Sequence, residues 1–186
     1  ATIKDAKYVY HFAGVADIGE ADEGPSKTIE SNILGTTNVL EACREQNVER
    51  FMYASTIYVY SERGGFYRVS KQACESIIKM YSESFNLDHT ILRYGSLYGT
   101  RAQPWNGLRN FVEQALNRGV INYRGNGQER REYIHVRDAA RLGVRALSEK
   151  YKNECLTLTG TQVLHSKEMF KLIEEIIGKE VKINYN

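Results

Sequence analysis

A chain of 186 residues with 42% hydrophobic content is long enough to bury a core. A formal net charge of +2, with only Arg130 and Arg131 adjacent among scattered basic residues, argues against a phosphate-tracking surface, so no nucleic-acid partner is expected. Nothing approaches the roughly 18 apolar residues of a membrane span, no signal-peptide pattern opens the chain, and Cys43, Cys74 and Cys155 lack metal-ligand spacing, so a reduced, cytoplasmic, metal-free protein off the membrane is expected.

In chain order, "YVYHFAG" (8–14) reads as a buried strand running into a glycine turn. "GTTNVLEACREQN" (35–47) places Val39, Leu40 and Cys43 at helical spacing. "RFMYAST" (50–56) is a second strand and "FYRVSKQACESIIKMYSESF" (66–85) a long helix. "HTILRYGSLYG" (89–99) reads as one strand and a glycine-closed loop, and "LRNFVEQALNRG" (108–119) as a helix stopped by Gly119. Strands follow at 120–123 and 131–136, then a helix capped by Asp138, a strand at 155–160, and a helix capped by Ser166 and stopped by Gly178. Strands separated by helices of this length predict an α/β fold: a Rossmann-like, mostly parallel sheet with helices on both faces.

Such sheets hold ligands at the carboxyl ends of their strands. There the sequence places Phe12-Ala13-Gly14, Ser55-Thr56 and Gly95-Ser96, small or polar residues that admit a ligand, although such residues also simply end strands. Tyr67 and Lys71 stand four apart and share one helix face. A nearby ammonium favours phenolate, which would make Tyr67 a usable base, with Thr56 beside it. The alternative from spacing alone is a tyrosine packed under a loop and a solvated lysine. His11, His89, His135 and His165 lie far apart, and Trp105 reads as a packed loop residue. Gly125-x-Gly127 has no third glycine and opens no helix, so it is not a dinucleotide fingerprint.

Six motifs in order resemble the NAD-dependent epimerase/dehydratase branch of the extended short-chain dehydrogenase/reductase family: "YVYHFAG", "NILGT" (32–36), "YASTIYVYS", "YRVSK", "LRYGSLYG" and "GNGQERREYIHVRD". The resemblance implies an NAD-dependent nucleotide-sugar epimerase, of the UDP-sugar 4-epimerase type, working through a transient 4-keto sugar. It assigns catalysis to Thr56, Tyr67 and Lys71, with Tyr67 as base. Cofactor binding falls to Phe12, Ala13, Gly14, Asn32, Tyr67, Lys71, Tyr94 and Gly95, and substrate binding to Ser96 and Arg131, whose guanidinium suits a diphosphate. In the family the long helix pairs across a homodimer interface; burial within one subunit explains the same apolar pattern. The choice between NAD and NADP, and the particular sugar nucleotide, stay open.

The resemblance divides the chain into a partial dinucleotide-binding region with the catalytic helix (1–99) and a mixed region beginning the substrate-binding part (100–186), packed as one unit. No Gly-x-x-Gly-x-x-Gly occurs, so the N-terminal βαβαβ half is expected to be missing and NAD binding by this segment weak or absent. Thr56 and Tyr67 stand closer together than in the family's extended members, which makes "SERGGF" a short loop. Ile57-Tyr58 occupies the place of the dehydratases' Asp-Glu pair, which disfavours dehydration. The other readings are an NAD(P)-dependent reductase, a sugar decarboxylase of the same family, or a non-catalytic remnant.

Overall fold

The computed structural model describes residues 3–186. The elements are β1 (Tyr8–His11), α1 (Ile18–Glu23), α2 (Pro25–Thr28), a π-helical turn (Ile29–Leu34), α3 (Gly35–Glu45), β2 (Arg50–Thr56), a 3-10 turn (Ile57–Tyr60), α4 (Gly65–Phe85), β3 (His89–Tyr94), β4 (Ser96–Tyr98), α5 (Gly107–Arg118), β5 (Val120–Tyr123), β6 (Arg130–His135), α6 (Val136–Arg145), a 3-10 turn (Glu149–Tyr151), β7 (Glu154–Leu158), β8 (Val163–His165), α7 (Ser166–Ile177) and β9 (Lys182–Tyr185). Contacts divide the chain into two units: residues 1–94 with 140–158, and residues 95–139 with 159–186.

The first unit is a parallel sheet in the order β1-β2-β3-β7. Its central strands β2 and β3 are buried on both faces, and α3 and α4 bring Leu40, Cys43, Cys74 and Ile78 against Val9, Phe51, Tyr53 and Ile91 on one of them. Phe51, Leu40 and Ile78 are fully buried, each contributing about 1.5–3 kcal/mol of apolar burial. On the opposite face Gly143 of α6 lies against the sheet: its carbonyl accepts from the Tyr10 hydroxyl at 2.9 Å, and a Cβ there would sit 3.4 Å from the Tyr94 hydroxyl. Helices thus cover both faces, as expected.

The first strand stops at His11, so Phe12–Gly14 form the turn beyond it. The segment between that turn and α3 carries helical turns that periodicity does not reveal, because the side chains those turns bury, Ala21, Thr28 and Asn32, are small or polar.

The second unit holds a three-stranded sheet, β4-β6-β8, and a parallel pair, β5-β9. Three expectations are corrected. The segment expected to be a loop after the third strand holds a strand of its own: β3 ends at Tyr94, and β4 pairs with β6 in a separate sheet. Gly95 allows the break, since a Cβ there would meet the Thr159 hydroxyl at 2.4 Å. Asp138 is no cap: α6 starts at Val136, the His135 ring accepts from the Arg137 amide at 3.3 Å, and Asp138 sits in the first turn, where its charge suits the helix dipole. Nor does Ser166 cap α7. His165 does, in a reciprocal box with Glu168, while the Ser166 hydroxyl is spent on Tyr123 and the Glu129 carbonyl. Gly119 and Gly178 end their helices as expected, with φ of 65° and 70°.

Candidate active site

The carboxyl end of β2 is tied to the start of α4. Gly64 and Gly65, at φ 102° and 46°, turn the chain sharply into the helix, and the Asp22 carboxylate accepts from the Phe66 amide at 3.0 Å. "SERGGF" is therefore a short connection: the 3-10 turn follows Thr56 directly, and the Thr56 hydroxyl accepts from the Tyr58 amide at 3.3 Å. Arg68 and Gln72 donate to the carbonyls of Ser61 and Val59 at 2.7 and 3.0 Å, holding the connection against the helix. Tyr58 packs edge-on against Tyr67, ring centroids 6.5 Å apart.

Within this frame Thr56, Tyr67 and Lys71 come together. Lys71 is buried, 6% exposed, its ammonium donating to the Ala54 carbonyl at 2.9 Å and lying 4.8 Å from the Tyr53 ring centroid and 5.9 Å from that of Tyr67. Burial pulls its pKa down to about 8, with Cys74 and Glu75 acting in the other direction. The solvated-lysine alternative is thereby set aside. Tyr67 does not follow the expected direction. Burial, the largest cause, raises its pKa; an interaction with the Thr56 side chain lowers it and Tyr58 raises it further. Burial outweighs any pull from the nearby Lys71 ammonium, which donates to the Ala54 carbonyl.

Asn32 is 1% exposed, and its amide is fully used. Its Oδ1 accepts from the Val15 amide at 2.7 Å, and its Nδ2 donates to the Val15 carbonyl at 3.0 Å and to the Ser70 hydroxyl at 2.9 Å. Asn32 thus fastens the turn after β1 to α4. Gly14, at φ 142°, brings its Cα so near Asn32 that a Cβ would lie 2.6 Å from Oδ1. Phe12, Ala13 and Gly14 are exposed beyond the tip of β1, and Tyr94 is buried at the end of β3. Beside them His11 bonds Thr36 at 3.1 Å, and burial first, then Lys71, lowers its pKa.

Gly95, Ser96 and Arg131 belong to the second unit. Gly95 and Ser96 are half-buried where β4 begins, and Ser96 pairs with Tyr133. Arg131 is half-buried on β6 opposite Leu164, and its positive charge acts on Tyr123.

Sequence reasoning missed a buried network. Glu75, 5% exposed, accepts from the Ser55 hydroxyl and from Arg93 of β3, whose Nη1 donates to the Tyr60 hydroxyl. The signal was there in part: Glu75 continues the four-residue spacing of Tyr67 and Lys71.

The Tyr67–Lys71 pair, its lysine buried, thus lies at the carboxyl end of a parallel α/β sheet, where folds of this class hold their ligands. The chain belongs to the NAD dependent epimerase/dehydratase family, whose model matches residues 1–156. A putative UDP-glucose 4-epimerase of Methanocaldococcus jannaschii is 28% identical over 193 residues, covering 94% of this chain and 62% of that protein. A UDP-glucuronate 4-epimerase of Thermodesulfobacterium geofontis is 26% identical, covering 95% and 59%. Among solved structures, the UDP-glucose 4-epimerase of Thermotoga maritima with UDP-glucose matches with a TM-score of 0.90 at 27% identity, over 97% of this chain and 64% of that one. The UDP-glucuronic acid 4-epimerase of Bacillus cereus, in complex with UDP-glucuronic acid and NAD, matches with a TM-score of 0.92 at 26% identity, over 99% and 63%. The chain thus spans about six tenths of the length of these relatives. Among the described residues no helix is long and apolar enough to cross a membrane.

Proposed function

We propose that this chain carries the proton-transfer centre of an NAD-dependent nucleotide-sugar 4-epimerase acting on a UDP-sugar. The observation behind this reading is the convergence of Thr56, Tyr67 and Lys71 on one strand end, with Lys71 buried and titrating near 8. Tyr67 takes the proton from the sugar 4-hydroxyl and later returns it. The Thr56 hydroxyl, interacting with the phenol, steadies the proton in transit.

The residues fit a dinucleotide. Phe12, Ala13 and Gly14 offer exposed backbone beyond β1, and Lys71 spends one of its three protons on Ala54, leaving two for ribose hydroxyls. Tyr94 and Gly95 would line the same cofactor. Asn32 serves it by fixing the Gly14–Val15 turn, since its own polar atoms are engaged. The chemistry NAD supplies when bound is reversible hydride exchange at the sugar carbon. A cationic nicotinamide would draw the Tyr67 phenol back towards ionisation, against the burial that raises it. The family resemblance gives Arg131 and Ser96 to the substrate's diphosphate, a task for which a guanidinium fork is suited.

The names of the similar proteins above support a UDP-sugar, and the absence of carboxylates at Ile57-Tyr58 favours epimerisation over water elimination. The test is to supply UDP-glucose and UDP-glucuronic acid to the full-length protein and follow C4 configuration and NADH together. Interconversion without net NADH is expected, and Tyr67→Phe should lower kcat by about 10²-fold or more while UDP-sugar binding persists. Unimpaired turnover by Tyr67→Phe would refute the proposal; net NADH change would favour a reductase.

A further inference from the structure

Tyr67, Lys71 and Glu75 stand at successive fourth positions of α4, and each engages one of the last three residues of β2. Tyr67 interacts with Thr56, Lys71 bonds the Ala54 carbonyl at 2.9 Å, and Glu75 Oε1 accepts from the Ser55 hydroxyl at 2.5 Å. Arg93 holds the Glu75 carboxylate with a two-pronged fork, Nε to Oε1 at 3.0 Å and Nη2 to Oε2 at 2.5 Å. Its guanidinium also lies 4.7 Å from the Tyr60 ring centroid. A buried ion pair seldom adds net stability over apolar residues of the same volume, so stability alone does not account for a carboxylate at this place. Its distinguishing feature is its position one turn beyond the ammonium.

We propose that Glu75 is a positioning residue of the active site: clamped by Arg93, it keeps the Lys71 ammonium charged and holds the Ser55–Thr56 end of β2 against α4. This deepens the epimerase reading and, for its catalytic meaning, rests on it. The titratable groups facing Lys71 are His11 from β1, Tyr53 from β2, and Tyr67, Cys74 and Glu75 on α4 itself. Among them Glu75 is the carboxylate. Without it, only Cys74 would oppose the burial that lowers the ammonium, and no carboxylate would face it.

The test titrates Lys71 directly in this chain, by NMR of 13Cε-labelled lysine with the resonance assigned through its loss in Lys71→Met. The wild-type midpoint should lie near 8. Glu75→Gln should lower it by on the order of one pH unit, from a charge pair at a short distance partly offset by Arg93, while Glu75→Asp keeps it close to wild type. An unchanged midpoint in Glu75→Gln overturns the inference. Should Glu75→Gln fail to fold, the Glu75→Gln/Arg93→Met double variant is compared with Arg93→Met alone, so that only the carboxylate differs, and equal Lys71 midpoints in the two overturn the inference. A lowered midpoint with an unaltered pH profile of kcat/KM in the full-length protein supports the Glu75–Lys71 coupling and tells instead against the catalytic reading of Lys71.

Discussion

Replacing Lys71 with methionine keeps the length of the stem, removes the charge, and should relieve a cost that the fold carries at neutral pH. Burial lowers the ammonium from 10.5 to about 8, equivalent to about 3 kcal/mol against folding. The sign follows from proton counting. Between the folded and unfolded values the unfolded chain binds more protons, so the penalty is complete below about 8 and disappears as pH rises towards 10.5. Losing the bond to Ala54 gives back about 1 kcal/mol, and losing the contact with the Tyr53 ring a similar amount. Lys71→Met should therefore be the more stable chain at pH 7, by about 1 kcal/mol, and the less stable one by pH 10. Urea denaturation of both chains at the two pH values, at constant ionic strength, measures the difference. A stability difference that stays the same at pH 7 and pH 10 would show that Lys71 is not buried as an ammonium, and the reasoning would fail.

Asn32→Ala leaves both the amide and the carbonyl of Val15, together with the Ser70 hydroxyl, short of a partner. It should cost roughly 2–4 kcal/mol in urea denaturation, and a loss below about 1 kcal/mol would contradict the clamp. Arg131→Ala should weaken UDP-sugar binding about 10-fold or more in calorimetry of the full-length protein while shifting stability by no more than about 0.5 kcal/mol. Unweakened binding would remove Arg131 from the substrate site.

The local grammar of the chain was legible without coordinates. "RFMYAST" matches β2 residue for residue, and α4 begins one position before the helix expected from its periodicity. Positive φ at Gly119 and Gly178 follows from their places after helical runs. The Tyr67–Lys71 pair was readable too, because a four-residue spacing sets two side chains on one helix face whatever the helix packs against. The resemblance to the family pointed to Thr56 among the strand-end hydroxyls.

What spacing cannot carry is contact between segments distant in sequence, and burial. Ser55, Glu75 and Arg93 meet only because β2, β3 and α4 pack together, and the grip of Asn32 on Val15 and Ser70 depends on a π-helical turn whose one buried side chain is polar. The expected depression of the Tyr67 phenol came out reversed for the same reason. The sequence put an ammonium one turn away, which is a statement about charge; only the tertiary structure withdrew water from the phenol and turned that ammonium towards Ala54. Spacing along a helix is a property of the chain, whereas desolvation is a property of everything folded around it.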